Sequence, residues 1–142
     1  YLYSEYMKAA LNDDMYFKPL AFVYPDDKLA RNTEDQLMIG NEIMIAPVYT
    51  QNAIGRYVYL PEEMIFVKFL GDGTIHQEVL EKGIHYVEVA LNEVPLFIRK
   101  GCAIPVADFA ESVPEIDEST IQMIGYEGAS YERYTDDGVS RI

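Results

Sequence analysis

The first apolar pattern in the chain has the spacing of an amphipathic helix. Its apolar residues recur at intervals of three and four positions and therefore share one side: Tyr3, Tyr6, Met7, Ala10 and Leu11. Asn12-Asp13-Asp14 is predicted to end this helix, since short polar side chains favour turns. The continuous apolar run from Met15 to Tyr24 then predicts a strand that is buried on both faces, as in a parallel sheet.

From about Ile43 the pattern changes to short apolar runs between turn signals, which predicts an antiparallel β-sandwich or barrel. The predicted strands are Ile43 to Val48, Arg56 to Leu60, Ile65 to Leu70, Thr74 to Val79, His85 to Val89, Leu96 to Arg99, Ala103 to Val106, Ile121 to Tyr126 and Ser130 to Thr135. Asp72-Gly73 is the strongest hairpin signal, because Asp and Gly tolerate two positive φ angles. The acidic stretch Ala107 to Ser119 predicts an exposed linker, and Asp136-Asp137-Gly138 predicts the turn of a second hairpin.

The segment Leu96 to Arg99 is predicted to be the core strand of the sandwich. Residues two apart share a face, so Leu96 and Ile98 lie on one side of the strand and Phe97 and Arg99 on the other. An unpaired arginine is costly to bury. We therefore expect Leu96 and Ile98 to face the core and Phe97 to face a neighbouring domain.

Composition and charge narrow the partners of this 142-residue chain. Its 11 Lys and Arg against 24 Asp and Glu give a formal charge of −13, which argues against nucleic acid and anionic membrane surfaces. No apolar run is long enough to predict a membrane span. The single cysteine, Cys102, excludes an internal disulfide, is expected to be buried and inert, and favours a cytoplasmic location. Because the chain begins with Tyr1, we expect it to be part of a longer protein.

Paired carboxylates are the first candidates for chemistry, since acid–base catalysis often uses two of them. The pairs in this chain are adjacent in sequence: Asp13/Asp14, Asp26/Asp27, Glu34/Asp35, Glu62/Glu63 and Asp136/Asp137. Catalytic carboxylates converge from different segments, whereas adjacent ones on a strand point to opposite faces. We interpret these pairs as turn and surface residues.

The remaining candidates also have structural interpretations. His76 and His85 lack Cys or His partners at zinc-ligand spacing, and Asp136-Asp137-Gly138 lacks the later Glu of a calcium loop. Tyr57 and Tyr59 share one strand face, and Tyr131 and Tyr134 precede the last turn. These tyrosines would suit a platform for sugar rings, or they could cover the edges of the core. We predict no catalytic, cofactor-binding or metal-binding residue in this chain, and no cofactor.

Several segments, in the same order along the chain, resemble glycoside hydrolase family 31, the α-glucosidases and α-xylosidases. The similar segments are Tyr1-Leu2-Tyr3, Lys18-Pro19-Leu20-Ala21-Phe22-Val23-Tyr24-Pro25-Asp26-Asp27, Asp35-Gln36-Leu37-Met38-Ile39-Gly40, Ile43-Met44-Ile45-Ala46-Pro47-Val48, Tyr57-Val58-Tyr59-Leu60-Pro61, Val94-Pro95-Leu96-Phe97-Ile98-Arg99-Lys100-Gly101, Ile104-Pro105 and Tyr134-Thr135-Asp136-Asp137-Gly138. The chain departs from the family after Pro61, where Glu62-Glu63-Met64 replaces a tryptophan-tyrosine-aspartate stretch. The set nevertheless covers nearly the whole chain.

The resemblance implies a mainly β fold in three parts. Residues 1–43 would be the last helix and strand of an (α/β)8 barrel that carries the catalytic site. Residues 44–107 would form the proximal C-terminal antiparallel β-sandwich. Residues 108–142 would be a linker and the start of a distal C-terminal β domain.

The same resemblance implies a function for the parent protein, the retaining hydrolysis of α-glycosidic bonds by two aspartates. The family places both aspartates upstream of this region, in a part that contains tryptophan, and this chain has none. The chain is therefore expected to be a non-catalytic part of a hydrolase that acts on an α-glucoside or oligosaccharide, and to self-associate through its exposed barrel remnant. The alternative is a stand-alone carbohydrate-binding or structural β-sandwich module.

Overall fold

The computed structural model describes residues 1–136 and 139. The helices are α1 (Leu2–Asn12), α2 (Leu20–Val23) and α3 (Lys28–Arg31). The strands are β1 (Phe17–Pro19), β2 (Leu37–Ile39), β3 (Ile43–Ile45), β4 (Gly55–Leu60), β5 (Met64–Phe69), β6 (Ile75–Leu80), β7 (Gly83–Glu88), β8 (Leu96–Arg99), β9 (Ala103–Val106) and β10 (Gln122–Gly125). Short 3-10 turns lie at Val113–Glu115 and Glu118–Thr120.

The strands form one large sheet and two small ones. The large sheet has the order β1-β2-β3-β8-β5-β6, while β4 pairs with β7 and β9 pairs with β10. All of these pairings are antiparallel, which confirms the predicted mainly antiparallel β class. Strands from residues 17 to 45 belong to the same sheet as β5 and β8, so the packing is continuous across residue 43.

The large sheet is covered on both faces. On one face Met44, Met64 and Phe97 pack with residues of β4 and β7 in a first core. On the other face Ile65 and Ile98 pack with Ile104 of β9 and Ile124 of β10 in a second core. Alternate residues of β5 and β8 therefore enter two different cores, which explains why consecutive positions such as 64–67 and 96–98 are apolar.

The predicted orientation of β8 is right for Ile98 and wrong for Phe97. Phe97 is completely buried in the first core, where its ring stacks on Phe66 with the ring centres 5.0 Å apart. Ile98 is completely buried in the second core, and Leu96 on the same face is only half-buried. The expectation assumed that one face of the strand was open, whereas β4–β7 covers one face and β9–β10 the other.

Helix α1 confirms the predicted helix but buries its polar side. Asp13 takes a left-handed conformation (φ 53°) and ends the helix there. The buried residues of α1 are Ser4 and Glu5, while the apolar side chains are exposed: Leu2, Tyr3, Tyr6 and Leu11. Met15, Phe17 and Phe22 are exposed as well, and we refer to these seven residues as the N-terminal apolar face.

The predicted buried strand from Met15 to Tyr24 is wrong. Only Phe17–Pro19 forms a strand, it lies at the edge of the large sheet, and it is antiparallel to β2. Pro19 explains the break, because proline has no N–H for the sheet and its fixed φ suits the start of a helix. The residues that follow form α2 instead, whose Phe22 is exposed.

Most of the later elements lie where the sequence predicts them. The hairpin at Asp72-Gly73 is present between β5 and β6, although only Gly73 has a positive φ (85°), so the predicted pair of positive φ angles is wrong. The acidic stretch is exposed at Glu111–Ser119. The predicted strand from Ser130 to Thr135 is not formed, since this segment runs across α1 rather than in a sheet. In the predicted second turn, Asp137 and Gly138 lie outside the described residues.

Candidate functional site

The adjacent carboxylates of the described residues take part in surface ion pairs. Asp14 pairs with Lys18 at 2.6 Å, Asp35 with Arg56 at 2.6 Å, and Glu63 with Lys100 at 3.7 Å. In the two shortest ion pairs the basic side chain, Lys18 or Arg56, is less exposed than the carboxylate that it contacts. Each pair thus has a local structural partner, and Asp136 accepts a hydrogen bond from Tyr3.

Asp27 connects the turn before α3 to the β4–β7 sheet. Its Oδ1 accepts hydrogen bonds from the backbone of Leu29 and Ala30, and its Oδ2 accepts from the Tyr59 hydroxyl at 2.6 Å and Lys82 Nζ at 2.9 Å. Lys82 and Tyr59 hold the pKa of Asp27 well below its ordinary value. The pKa of Tyr59 is raised, because burial and the neighbouring Asp27 both disfavour the phenolate.

The contacts of Arg99 explain how an arginine can lie on a buried strand without a large free-energy cost. Its Nε donates to Glu62 Oε1 at 2.9 Å, and its guanidinium lies 5.3 Å from the ring centre of Tyr24. Both Arg99 and Glu62 are about one-quarter exposed, at 27% and 29% of their side-chain surfaces. The charge therefore remains paired and in contact with solvent, which makes it compatible with a Phe97 that is buried on the same face.

The candidate tyrosines divide into two structural groups. Tyr59 is only 9% exposed because Asp27 binds its hydroxyl, whereas Tyr57 is 70% exposed on the same strand. Tyr131 donates to Glu5 Oε1 at 2.8 Å, and the backbone N–H of Tyr134 donates to Ser4 Oγ at 3.1 Å. Of these four residues, Tyr57 alone presents most of its side chain to solvent.

The segment at Tyr131 also explains why α1 buries polar side chains. Glu5 is 4% exposed and accepts hydrogen bonds from Tyr131 and from Lys8 Nζ, each at 2.8 Å. Lys8 Nζ lies 4.1 Å from the centre of the Tyr131 ring. Burial and the hydrogen bond to Glu5 raise the pKa of Tyr131. The C-terminal segment thus covers the polar side of α1 and touches its apolar side at Tyr3, whose ring centre lies 6.0 Å from that of Tyr134.

A groove lies beside β4 and is lined by exposed aromatic side chains. It is formed by Asp35, Tyr49, Arg56 and Tyr57, and we call it the β4 groove. Its two connected hollows have volumes of about 430 and 250 Å³. Sequence reasoning identified Tyr57 but missed Tyr49 and Arg56, which no motif connects to it.

The other sequence candidates show no ligand-like arrangement. Among the described residues, no group of three or more His, Cys, Asp or Glu side chains is placed to hold a metal ion. His85 Nε2 is 2.7 Å from the backbone oxygen of Glu81, and His76 is exposed on β6. Cys102 is half-buried rather than fully buried as expected, and this burial raises the pKa of its thiol, which lowers its reactivity. No helix in the described part of the chain is long and apolar enough to cross a bilayer.

The described residues form a mainly antiparallel β fold, and sequence comparison supplies the family. Residues 13–104 match the profile described as the glycosyl hydrolase family 31 C-terminal domain. The chain therefore belongs to glycoside hydrolase family 31, as the sequence motifs predict.

Relatives across the family agree with this assignment. The chain is 32% identical to alpha-glucosidase 2 of Bacillus thermoamyloliquefaciens over 97% of its length, and 31% identical to an alpha-xylosidase of Saccharolobus solfataricus over 87%. It spans only 17% of the length of each of these proteins. Most of each relative therefore has no counterpart in this chain.

Solved structures of the family share the fold. A family 31 dextranase from Flavobacterium johnsoniae, determined with isomaltotriose, superposes with a TM-score of 0.74 at 27% identity; the match covers 99% of this chain and 18% of the dextranase. An alpha-xylosidase from Xanthomonas citri superposes with a TM-score of 0.62 at 27% identity, over 80% of this chain and 12% of the xylosidase. These relatives act on different sugars, so the shared β domain does not by itself define one substrate.

Proposed function

We propose that this chain is the C-terminal, non-catalytic part of a retaining α-glucosidase-like hydrolase. The proposal is supported by the family match and by the small share of each relative that the chain covers. In the proposed parent, two aspartates upstream of Tyr1 perform the double displacement, one as nucleophile and one as acid/base. The substrate is an α-glucoside or oligosaccharide, and a cytoplasmic location stays a prediction that rests on the single cysteine.

The N-terminal apolar face is the observation that carries the proposal. Tyr6 is 58% exposed and Phe22 is 66% exposed, although the polar Glu5 on the same helix is buried. This inverted arrangement favours an apolar partner for the segment, since it leaves several large apolar side chains in water. We propose that the catalytic barrel of the parent covers this face.

The proposed division of the parent follows the family. Residues 1–43 belong to the end of the barrel, 44–107 to the proximal β-sandwich, and 108–142 to the linker and distal β domain. The continuity of the large sheet across residue 43 means that, in this division, β1 and β2 fasten the barrel end to the sandwich.

Two measurements on the 142-residue chain test this proposal. With a chromogenic α-glucoside, we expect no turnover above the buffer rate. By light scattering, we expect concentration-dependent association through the N-terminal apolar face. The double variant Phe17→Ser/Phe22→Ser should shift the chain towards the monomer, because it removes two exposed rings from that face.

Val113→Ser is the matched control, since Val113 is 80% exposed but lies in the linker, away from this face. It should leave association unchanged. Turnover that disappears when an acidic residue of this chain is replaced would contradict the non-catalytic role. If the unsubstituted 142-residue chain is strictly monomeric, the proposed docking role of the N-terminal apolar face is contradicted.

A further inference from the structure

We propose that the β4 groove binds a neutral α-linked gluco-oligosaccharide. The choice of an α-linked glucan rests on the proposed function, whereas the existence of a sugar site rests on the groove. The family match and the fold do not assign any ligand to this part of the chain. The inference therefore gives the β domain a binding role in addition to its packing role.

The groove has the size and lining of a small-molecule site. The larger hollow, of about 430 Å³, runs from Asn32 and Thr33 along β4 to Ile84, and the smaller one extends to Thr50. Small-molecule pockets usually measure roughly 300–1,000 Å³ and combine aromatic walls with a few polar groups. The β4 groove combines both kinds of lining.

Two exposed tyrosines give the groove its aromatic surface. Tyr49 is 75% exposed and Tyr57 is 70% exposed, and both line the two hollows. The Tyr57 ring makes an edge-to-face contact with Tyr86, with the ring centres 5.2 Å apart. A tyrosine fixed in this way offers a rigid ring for the C–H face of a pyranose, at a small cost in side-chain entropy.

The floor of the groove is held in place before any ligand binds. Arg56 donates from Nη1 to the Pro47 carbonyl at 2.6 Å and from Nη2 to Asp35 Oδ2 at 2.6 Å. The Arg56 side chain keeps only 12% of its surface exposed. Because these bonds already order the loop at Pro47 and the segment at Asp35, binding does not have to order them.

The charge of the groove favours a neutral ligand. The Arg56 guanidinium is neutralised by Asp35, and Glu34 adds a further acidic side chain to the lining. The whole chain carries a formal charge of −13. Phosphorylated or acidic sugars would therefore be repelled, whereas the hydroxyl groups of a neutral sugar can bond to carboxylate oxygens.

The edge of β4 is closed to a peptide strand, which favours a sugar over a protein segment as the occupant. Gln36 occupies both the N–H and the C=O of Tyr59, and Arg56 Nε donates to the Tyr57 carbonyl at 3.1 Å. A peptide that added to the sheet at this edge would need these same backbone groups. Side-chain contacts with a small amphipathic ring do not need them.

The test is a titration of the 142-residue chain with isomaltotriose and maltotriose, followed by calorimetry or by amide shifts in NMR. We expect saturable binding at millimolar concentration to at least one of these sugars. Tyr57→Ala and, separately, Tyr49→Ala should each weaken it about tenfold or more, which a thermal melt would distinguish from unfolding. Phe109→Ala is the control, because Phe109 is 93% exposed in the linker and lies outside the groove.

Three outcomes would overturn the inference: no saturable binding of either sugar, equal weakening by Phe109→Ala, or tighter binding of an acidic trisaccharide such as trigalacturonate. Each of these outcomes leaves the proposed non-catalytic role intact, because that role is read from turnover and association. Conversely, turnover by this chain would contradict the proposed function without removing the binding signal.

Discussion

Gln36 and Tyr59 are joined by two hydrogen bonds that imitate the pairing of a β-strand. Gln36 Oε1 accepts from the Tyr59 backbone N–H at 2.8 Å, and Gln36 Nε2 donates to the Tyr59 carbonyl at 2.7 Å. Gln36 is only 4% exposed, and its Nε2 also lies 3.4 Å from Met44 Sδ. One side chain thus ties the segment before β2 to the edge of the β4–β7 sheet.

Replacing Gln36 with leucine should destabilise the chain strongly. Gln36→Leu leaves two buried backbone groups of Tyr59 without partners, and each such group costs about 1–3 kcal/mol. We expect the free energy of unfolding in urea to fall by at least about 2 kcal/mol. Gln51→Leu, at an exposed position, is the control and should change it by no more than about 0.5 kcal/mol. Equal effects would show that the Gln36–Tyr59 pair contributes nothing specific.

Because β8 is buried on both faces, Phe97 should contribute more to stability than Leu96, although the sequence predicts that Leu96 faces the core. Phe97→Ala should lower the free energy of unfolding by about 3–5 kcal/mol, since it removes a completely buried ring from the first core. Leu96→Ala should lower it less, because Leu96 is only half-buried. Thermal or urea unfolding of both variants provides the measurement. If Leu96→Ala loses more free energy of unfolding than Phe97→Ala, the β4–β7 sheet does not cover the face of β8 that carries Phe97.

Gly40 and Gly101 allow two structural requirements for glycine, a positive φ and a lack of space for a side chain, to be tested separately. Both have a positive φ, 65° and 74°, so alanine is strained at either position by about 1–2 kcal/mol. At Gly40 an added Cβ would also lie within 2.7 Å of the Glu5 carboxyl carbon, whereas nothing lies within 4 Å at Gly101. Gly40→Ala should therefore reduce stability more than Gly101→Ala does in the same unfolding experiment. If the two losses match, Glu5 moves aside without cost.

The bonds of Asp27 predict a specific dependence of stability on pH. Its pKa is lowered in the folded chain, so the unfolded chain takes up the proton first as the pH falls. The stabilisation is therefore present above the ordinary aspartate pKa of about 4 and is lost below it. Asp27→Asn should have a lower free energy of unfolding than the unsubstituted chain at neutral pH. This difference in free energy should narrow below about pH 4.

Asp26→Asn is the control for this experiment, because Asp26 is the exposed neighbour in the same turn. It removes one charge from the same turn but keeps the bonds of Asp27 to Tyr59 and Lys82. Urea unfolding at a series of pH values gives the free energy of unfolding of both variants and of the unsubstituted chain. A gap for Asp27→Asn that stays constant down to pH 2.5 would contradict the lowered pKa.

The sequence predicts the strands well because their signals are local. Ala103–Val106 and Leu96–Arg99 have the predicted bounds, since turn residues flank short apolar runs in both cases. The run from Met15 to Tyr24 fails for a local reason too, because Pro19 outweighs the β propensity of its neighbours. Periodicity and turn chemistry thus account for most of the elements.

Long-range contacts account for what the sequence could not predict. The second cover of β8 comes from β9–β10, and no pattern within Leu96–Arg99 indicates whether one face or two will be covered. The β4 groove brings together Asp35 before β2, Tyr49 between β3 and β4, and Arg56 on β4, which only the fold places side by side. The sequence pointed to the lining only through the tyrosines of β4, Tyr57 and Tyr59, which share a strand face, and through the Glu34/Asp35 pair, which was interpreted as surface residues.

The central place of β8 in the large sheet has a consequence for the order of folding. Strand β8 lies between β3 and β5 and pairs Ile98 with both Ile43 and Ile65, residues that are distant in sequence. The β5–β6 hairpin can close early, because its partners are adjacent in the chain. The β3 edge must wait until Leu96–Arg99 has been synthesised and inserted. Such a high contact order slows folding and leaves apolar strand edges open in a nascent chain, so chaperone demand should peak before Arg99 leaves the ribosome.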